Sequence, residues 1–311
     1  MSYFLGIDTS NYTTSVAIYD NETKKVIHKK KLLPVKPGER GIRQSDAVFH
    51  HTQAVRELID SIFSEFSGSI SAVACSTCPR WVEGSYMPCF TVGETVATSI
   101  AMALSVPLYK VSHQEGHIAA ALYSASAMSL MGSEFLAFHV SGGTTEALLV
   151  TPDSRSLVAC KLLASSLDLK AGQAIDRVGV MLGLQFPCGP ELEKLASQCS
   201  EKFSVRVPVV DGSPSLSGVE NQCSSMIESG ASASSVAAYC LQFIGTALSS
   251  MTSYITSLYP TLPIVYSGGV MSNGYLQSLL ASSSSYFATP EFSSDNAAGV
   301  AILAEVNFSN D

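Results

Sequence analysis

The sequence predicts an α/β protein built from two half-domains, and three observations lead there. The chain has 311 residues of which 46% are hydrophobic, enough to bury the cores of two lobes rather than one. Its first half reads as three strands, a helix, a strand, a helix, a strand and a helix, the element order of an RNase H-like unit. The second half opens on three strands again, so the order repeats although no repeat of residues is obvious. Two such halves facing each other make a cleft lined by the turns at their strand ends.

Each element has its own signature. YFLGID, TTSVAIYD and KKVIHKKKLL read as three short strands, with turns expected over residues 8–14 and 21–23. Residues 47–66 place Val48, Val55, Leu58, Ile59 and Ile62 at helical spacing. SISAVACST is a buried strand, residues 92–104 a helix, and VPLYKVSH a strand that leads into VSHQEGHIAAA, read as helical. In the second half FLAFHV and TEALLV are strands, with a third near residues 157–163 and helices over 171–184 and 190–198. A loop runs through 208–217, and a long apolar helix spans about 235–258. TLPIVYSGGV, SNGYLQSLLA, SYFATP and SSDNAAGVAILAEV then read as strand, helix, strand and helix. The expected division is 1–130, completed by a C-terminal helix at 296–311, and 131–295.

Composition excludes several classes. No apolar run reaches membrane-spanning length, and Met1 leads directly into a strand without the regions of a signal peptide. A soluble, cytoplasmic protein is expected. Eight cysteines lie scattered, mostly in apolar segments, which suits buried thiols in a reducing compartment. Cys75 and Cys78 form a single CxxC that ends a strand ahead of Pro79, so both read as structural. A net charge of −8 says nothing in favour of nucleic acid as a bulk partner, and neither DNA nor membrane is expected. The basic run 24–43 fits a solvated hairpin as well as a phosphate contact.

Three stretches carry candidate chemistry. His113 and His117 stand one helical turn apart, so on a helix both imidazoles leave one face and can grip a divalent ion; ordinary histidines at a strand–helix junction are the alternative. Ser141, Gly142, Gly143, Thr144 and Thr145 offer successive backbone N–H groups with no bulky side chains, a nest for phosphate or a developing oxyanion. Gly268 and Gly269, ahead of the SNGYL helix, would let an adenine approach the backbone. Two glycine pairs, each straight after an apolar strand in corresponding halves, favour a nucleotide cleft. The turn DTSNYTTS after the first strand is a weaker phosphate or metal-water candidate.

GIDTSNYTTSVAI, VSHQEGH, HVSGGTTEALLV, KAGQAIDRVGVMLGLQFPCGPELEKLA, SLSGVE, SGGVMSN and SSDNAA, in this order, resemble the TsaD threonylcarbamoyltransferases of the ASKHA superfamily, nearly end to end. The resemblance implies a two-lobed ASKHA fold, a duplicated RNase H-like unit with an interlobe cleft. His113, His117 and Asp295 match the family's metal ligands, and His139 stands where some members add a tyrosine ligand. Three imidazoles and a carboxylate suit iron or zinc, whereas magnesium favours more oxygens. By the same resemblance Asp8 joins Ser141, Gly142 and Gly143 in the catalytic set. The turn from Ser141 to Thr145 would hold the phosphate and the carbamoyl carbonyl, and Asp176, Gly189 and Asn273 the adenosine of threonylcarbamoyl-AMP. The implied reaction carries the threonylcarbamoyl group to the adenosine beside the anticodon of tRNAs that read codons beginning with A. A TsaB-like small subunit and a TsaE-like ATPase are the implied partners.

The chain also departs from that pattern. Tyr12, Thr13 and Thr14 replace an Asp-Glu-Thr run, Thr144 replaces His or Asn, and Leu169 and Gln173 stand where the family has acids. Negative charge is lost around the nucleotide while the metal positions stay, which implies a diverged paralogue. A scaffold that binds without transferring, or a carbamoyltransferase with another acceptor, is the alternative. A metalloprotease is disfavoured because Glu115 lies two residues after the first histidine, on another helical face from the glutamate of HExxH. A sugar or acetate kinase gives the paired histidines no role.

Overall fold

A computed structural model describes residues 2–10, 12–34, 42–153, 157–292 and 297–310. In chain order the elements are β1 (Tyr3–Ser10), β2 (Thr13–Asp20), β3 (Lys25–Leu32), α1 (Gln44–Glu65), β4 (Ile70–Cys78), α2 (Phe90–Leu104), β5 (Leu108–Ser112) and α3 (His113–Ser124). Then follow β6 (Phe135–Val140), β7 (Thr145–Pro152), β8 (Val158–Ser165), α4 (Ala171–Met181), α5 (Gly189–Ala196), β9 (Val209–Val210), β10 (Ser213–Pro214) and α6 (Gly218–Glu228). The last are α7 (Ala233–Leu258), β11 (Ile264–Ser267), α8 (Gly274–Leu280), β12 (Ser285–Phe287) and α9 (Ala298–Asn310). The chain divides into two units, Met1–Tyr123 with Asp153–Val158 and Ser294–Asp311, and Ser124–Pro152 with Ala159–Ser293.

The first unit holds a five-stranded sheet in the order β3-β2-β1-β4-β5. β1 runs antiparallel to β2 and parallel to β4, and β4 runs parallel to β5, so three carboxyl-terminal strand ends share one edge. One core joins Leu5, Ile7, Val16, Ile18 and Val73 of the sheet to Val55, Leu58 and Ile62 of α1 and Val92, Ala97 and Ala101 of α2. The 3–4 spacing of those helical residues is what lays both helices on the sheet. α9, whose residues 298–304 are all buried, packs against β1, β2, β4 and β5. At the outer edge β3 turns lysines to solvent, two of them paired with α1: Lys29 with Glu65 at 2.6 Å and Lys31 with Glu57 at 2.5 Å. A charged edge resists pairing with further strands.

The second unit repeats the topology with the order β12-β11-β6-β7-β8. Its core is organised by α7, where Val236, Ala237, Cys240, Leu241, Ile244, Ala247, Leu248, Met251 and Ile255 face Leu136, Phe138 and Tyr266 of the sheet. Ser232 caps that helix by accepting the Ser235 N–H at 3.1 Å. The α/β class and the repeated order of the sheet strands are those the sequence implied.

Three local readings need correction. The expected turn over residues 8–14 is mostly strand, since Asp8 pairs with Ser15, Thr9 with Thr14 and Ser10 with Thr13. Alternating hydroxyl residues, several β-branched, suit a buried hairpin as well as a loop. The segment ahead of α7 contains α6, a helix whose buried residues are only Val219 and Cys223, too thin a stripe to stand out. The hairpin β9–β10 interrupts the loop expected at 208–217. No helix among the described residues is long and apolar enough to cross a membrane.

Candidate functional site

At the shared strand-end edge of the first unit, Asp8 of β1 meets His113 at the start of α3. The Asp8 carboxylate lies 3.2 Å and 3.3 Å from His113 Nδ1 through its two oxygens. It also accepts the Ser10 hydroxyl at 2.6 Å, and the Ser76 hydroxyl from β4. Burial alone would raise this carboxyl's pKa, but the His113 charge and the three hydrogen bonds hold it below the usual carboxylate range. Beyond His113, its Nε2 stands 2.9 Å from His117 Nε2. Two nitrogens each about 2.1 Å from one ion stand roughly 3.0–3.4 Å apart between square and tetrahedral angles, so the pair fits a shared divalent ion. Asp8 on Nδ1 favours the tautomer that leaves Nε2 to ligate, the usual carboxylate–histidine support of a metal.

The sequence of α3 explains why the pair is presented. Ser112 and Glu115 form a reciprocal cap: the Glu115 carboxylate accepts the Ser112 N–H at 2.6 Å and the Ser112 hydroxyl accepts the Glu115 N–H at 3.2 Å. The same carboxylate accepts the Trp81 indole N–H at 2.5 Å. Glu115 is thus a buried structural acid whose pKa is raised by desolvation, held back by its hydrogen bonds, and it does not serve as a base at the histidines. The spacing Ser-x-x-Glu was the signal for this cap.

Asp295 lies outside the described residues, and among the described residues no group of three or more His, Cys, Asp and Glu side chains converges for a metal. His139 belongs to the second unit, where its Nδ1 is 3.1 Å from the Ser267 hydroxyl. The hydroxyls of the first hairpin turn inward: Thr9 donates to the Cys89 carbonyl at 2.9 Å, and Thr14 lies 2.7 Å from His51 Nδ1. They do not form the open phosphate turn that their composition suggested. Cys75 is buried and its thiol is pushed up to about 12 by desolvation, which suits a structural role.

In the second unit five of the ten expected binding residues line one cavity of about 470 Å³, within the range of small-molecule sites, while Ser141, Gly143, Thr144, Thr145 and Gly268 do not line it. Gly142, Asp176, Gly189, Gly269 and Asn273 border it, together with Gly172, Ile175, Pro187, Pro190, Glu193, Val270 and Ser272, which the sequence reading did not select. Asp176 Oδ1 accepts the Cys188 N–H at 2.8 Å, which fixes the carboxylate at the entry to α5. Glu193 Oε1 accepts the Gly274 N–H at 2.7 Å and so ties α5 to the start of α8. Asn273 caps α8 by accepting the Leu276 N–H at 3.0 Å, which leaves its amide NH₂ as the donor. Glu193 was hidden because GPELEKLA reads as an ordinary amphipathic helix.

The turn from Ser141 is docked on α4. Gly172 N–H donates to the Ser141 carbonyl at 3.1 Å and Ala171 N–H to the Thr145 hydroxyl at 2.9 Å. The expected row of open donors is partly closed: the Gly143 and Thr144 N–H groups point at the Ser141 hydroxyl at 3.3 and 3.2 Å. Gly268, next to the second turn, has φ +97°, and a Cβ there would overlap the Val140 backbone, so only glycine fits. Apolar walls, two carboxylates, a side-chain amide and a glycine turn make a site suited to a nucleoside with an anionic group.

Solved structures share the fold. The Clostridium difficile activator of 2-hydroxyisocaproyl-CoA dehydratase with bound ADPNP superposes with TM-score 0.53 at 13% identity over 99% of this chain and 97% of its own. HypF from T. kodakarensis gives TM-score 0.60 at 13% identity over 99% of this chain, which spans about half (48%) of that protein. A ROK family glucokinase from Streptomyces griseus in complex with glucose and AMPPNP gives TM-score 0.54 at 10% identity over 98% of this chain and 100% of its own. These likenesses and the repeated sheet topology make the architecture a two-lobed α/β ASKHA fold. The family model for tRNA N6-adenosine threonylcarbamoyltransferase matches residues 23–302, so the chain belongs to the TsaD family of transferases.

Proposed function

We propose that this protein transfers the threonylcarbamoyl group from threonylcarbamoyl-AMP to the adenosine next to the anticodon of tRNAs that read codons beginning with A. The observation that carries the reading is the convergence of Gly142, Asp176, Gly189, Gly269 and Asn273 on one cavity. Asp176 and Glu193 accept from the ribose hydroxyls, Ile175 and Val270 flank the adenine, and Asn273 donates to it. The Ser141 turn receives the phosphate and the carbamoyl oxygen, its Gly143 and Thr144 N–H groups passing from the Ser141 hydroxyl to the oxyanion. An adenine amine is a weak nucleophile, so stabilising charge on the carbonyl and on the departing phosphate is the main demand. AMP leaves with its phosphate held by the same turn.

His113 and His117 would hold a divalent ion, iron or zinc rather than magnesium, with Asp8 bracing His113, and Asp295, matched by sequence alone, is the proposed carboxylate ligand. When bound, such an ion supplies Lewis-acid polarisation. A TsaB-like small subunit and a TsaE-like ATPase are the proposed partners and the cytoplasm the proposed compartment.

A second reading is favoured by what stands where the family carries acids. Leu169 is buried in the second unit's core, Gln173 accepts the Lys170 N–H at 3.4 Å as a helix cap, and Thr13 is buried in the first hairpin. These residues serve packing, which suits a diverged paralogue that binds the adenylate as a scaffold or carries the carbamoyl group to another acceptor. Incubating the protein, with and without the two partners, with threonylcarbamoyl-AMP and tRNA and weighing the digested nucleosides separates the readings. A mass gain on adenosine supports transfer. Bound, intact threonylcarbamoyl-AMP with unmodified tRNA supports the second reading.

A further inference from the structure

The loop of residues 79–89, between β4 and α2, follows the carboxyl end of β4 at the same sheet edge as Asp8 and His113. It exposes three large side chains within six residues: Trp81 at 50%, Val82 at 62% and Tyr86 at 67%. A single exposed apolar side chain is ordinary, but three large ones clustered on one loop mark a surface available to a partner. Here the ring is also fixed. Its only polar atom donates at 2.5 Å to Glu115, a buried acid placed between the two histidines. The loop backbone is braced by Gln114 N–H on the Pro79 carbonyl at 3.1 Å, by Ser85 N–H on the Val82 carbonyl at 3.0 Å, and by Arg80 N–H on the Ser85 hydroxyl at 3.2 Å.

What the indole still offers is a π face. An indole whose N–H is satisfied has no further hydrogen bond to give, so its free surface selects partners that stack. Stacking on a preset ring costs little ordering. Unstacked bases of single-stranded RNA are recognised in this way, on aromatic faces.

We propose that Trp81 is a stacking platform for an unpaired base of the acceptor RNA, held beside the histidine pair by its bond to Glu115. This rests on the tRNA-acceptor reading above. A nucleoside ring laid on Trp81 is positioned by the protein without base-edge hydrogen bonds, so the contact adds affinity and orientation more than sequence choice.

Trp81 is the one tryptophan of the chain, so its fluorescence reports the contact directly. The full-length protein is titrated with an anticodon stem–loop RNA carrying an end label, following tryptophan emission and label anisotropy together. The expected result is a saturable quench of Trp81 with the same midpoint as the anisotropy. Trp81→Leu should weaken binding about 5- to 150-fold, the range of one base–aromatic stack, and Trp81→Phe clearly less. Both variants lose the Glu115 bond, so the difference between them isolates the ring. The loss should persist at high salt, where phosphate contacts fade. If the RNA binds with no change in emission and Trp81→Leu binds as tightly as wild type, the platform is wrong while the acceptor reading stands. If the RNA does not bind to wild type, with or without partner proteins, both fall.

Discussion

Gly172 of α4 rests directly on Gly142 of the glycine turn: a β-carbon on Gly172 would come within 2.7 Å of the Gly142 nitrogen and α-carbon. Two backbones touch there, and the turn is set by the helix. In an exposed helix interior, Gly→Ala stabilises by about 0.8–1 kcal/mol. Here Gly172→Ala should instead destabilise by about 1–3 kcal/mol, because neither backbone has a flexible end to yield. Thermal melting gives the sign, and calorimetry with AMP should show weaker binding as the turn is displaced.

Asp176 and Glu193 border one cavity, and each has one oxygen engaged by a backbone N–H. If they receive a ribose, wild type should bind AMP more tightly than 2′-deoxy-AMP. Removing a hydrogen bond to a charged group costs about 1.5–3 kcal/mol, so Asp176→Ala should weaken AMP roughly 10- to 150-fold. The preference for AMP over the deoxy analogue should shrink in whichever variant removes the acceptor of that hydroxyl. An unchanged preference in both Asp176→Ala and Glu193→Ala would remove the ribose from this wall.

Asp8 reaches the proposed ion only through His113. Asp8→Asn should therefore lower zinc or iron affinity about 10- to 100-fold in chelator competition, whereas His117→Ala removes a ligand and should cost more. The metal-free protein carries a separate sign. The Asp8 carboxyl is held below its ordinary value, so the stability it contributes is present at neutral pH and is lost as pH falls below about 4 through the folded value. The stability gap between wild type and Asp8→Asn, measured by urea unfolding, should narrow in acid.

Asp168 gathers the segment ahead of α6. Its carboxylate accepts the Leu169 and Leu216 N–H groups at 2.6 and 2.7 Å and the Ser215 and Ser217 hydroxyls at 2.5 and 2.6 Å. Desolvation opposes ionisation, but these donors outweigh it and hold the carboxyl well below the usual carboxylate range. Asp168→Ala should speed amide exchange at Leu216 and Ser217 with little effect on α1 of the first unit. In wild type the protection should survive mild acid and disappear only as pH falls well below 4.

Much of the fold was legible because the apolar periodicity is strong where packing is dense. α7 and α1 declare themselves by buried residues three and four apart, and the sheets by short β-branched runs. The hairpin Ser10–Thr13 was misread because Ser, Thr and Asn serve both turns and buried strands, and only tertiary partners such as Cys89 and His51 decide between them. At the site, Gly142, Asp176, Gly189, Gly269 and Asn273 were available from glycine turns and motif positions. Glu193 and Gly172 were not, because their importance lies in contacts between elements remote in sequence. Trp81 went unremarked for the same reason: its tether to Glu115 joins residues 34 apart.

α9 closes the first unit's sheet, yet it is encoded after every residue of the second. On the ribosome the early strands must therefore wait, one greasy face bare, while the later half emerges and folds. The first unit's sheet is completed only by the last segment made, so a stall ahead of codon 298 would leave a nascent chain with an apolar face uncovered.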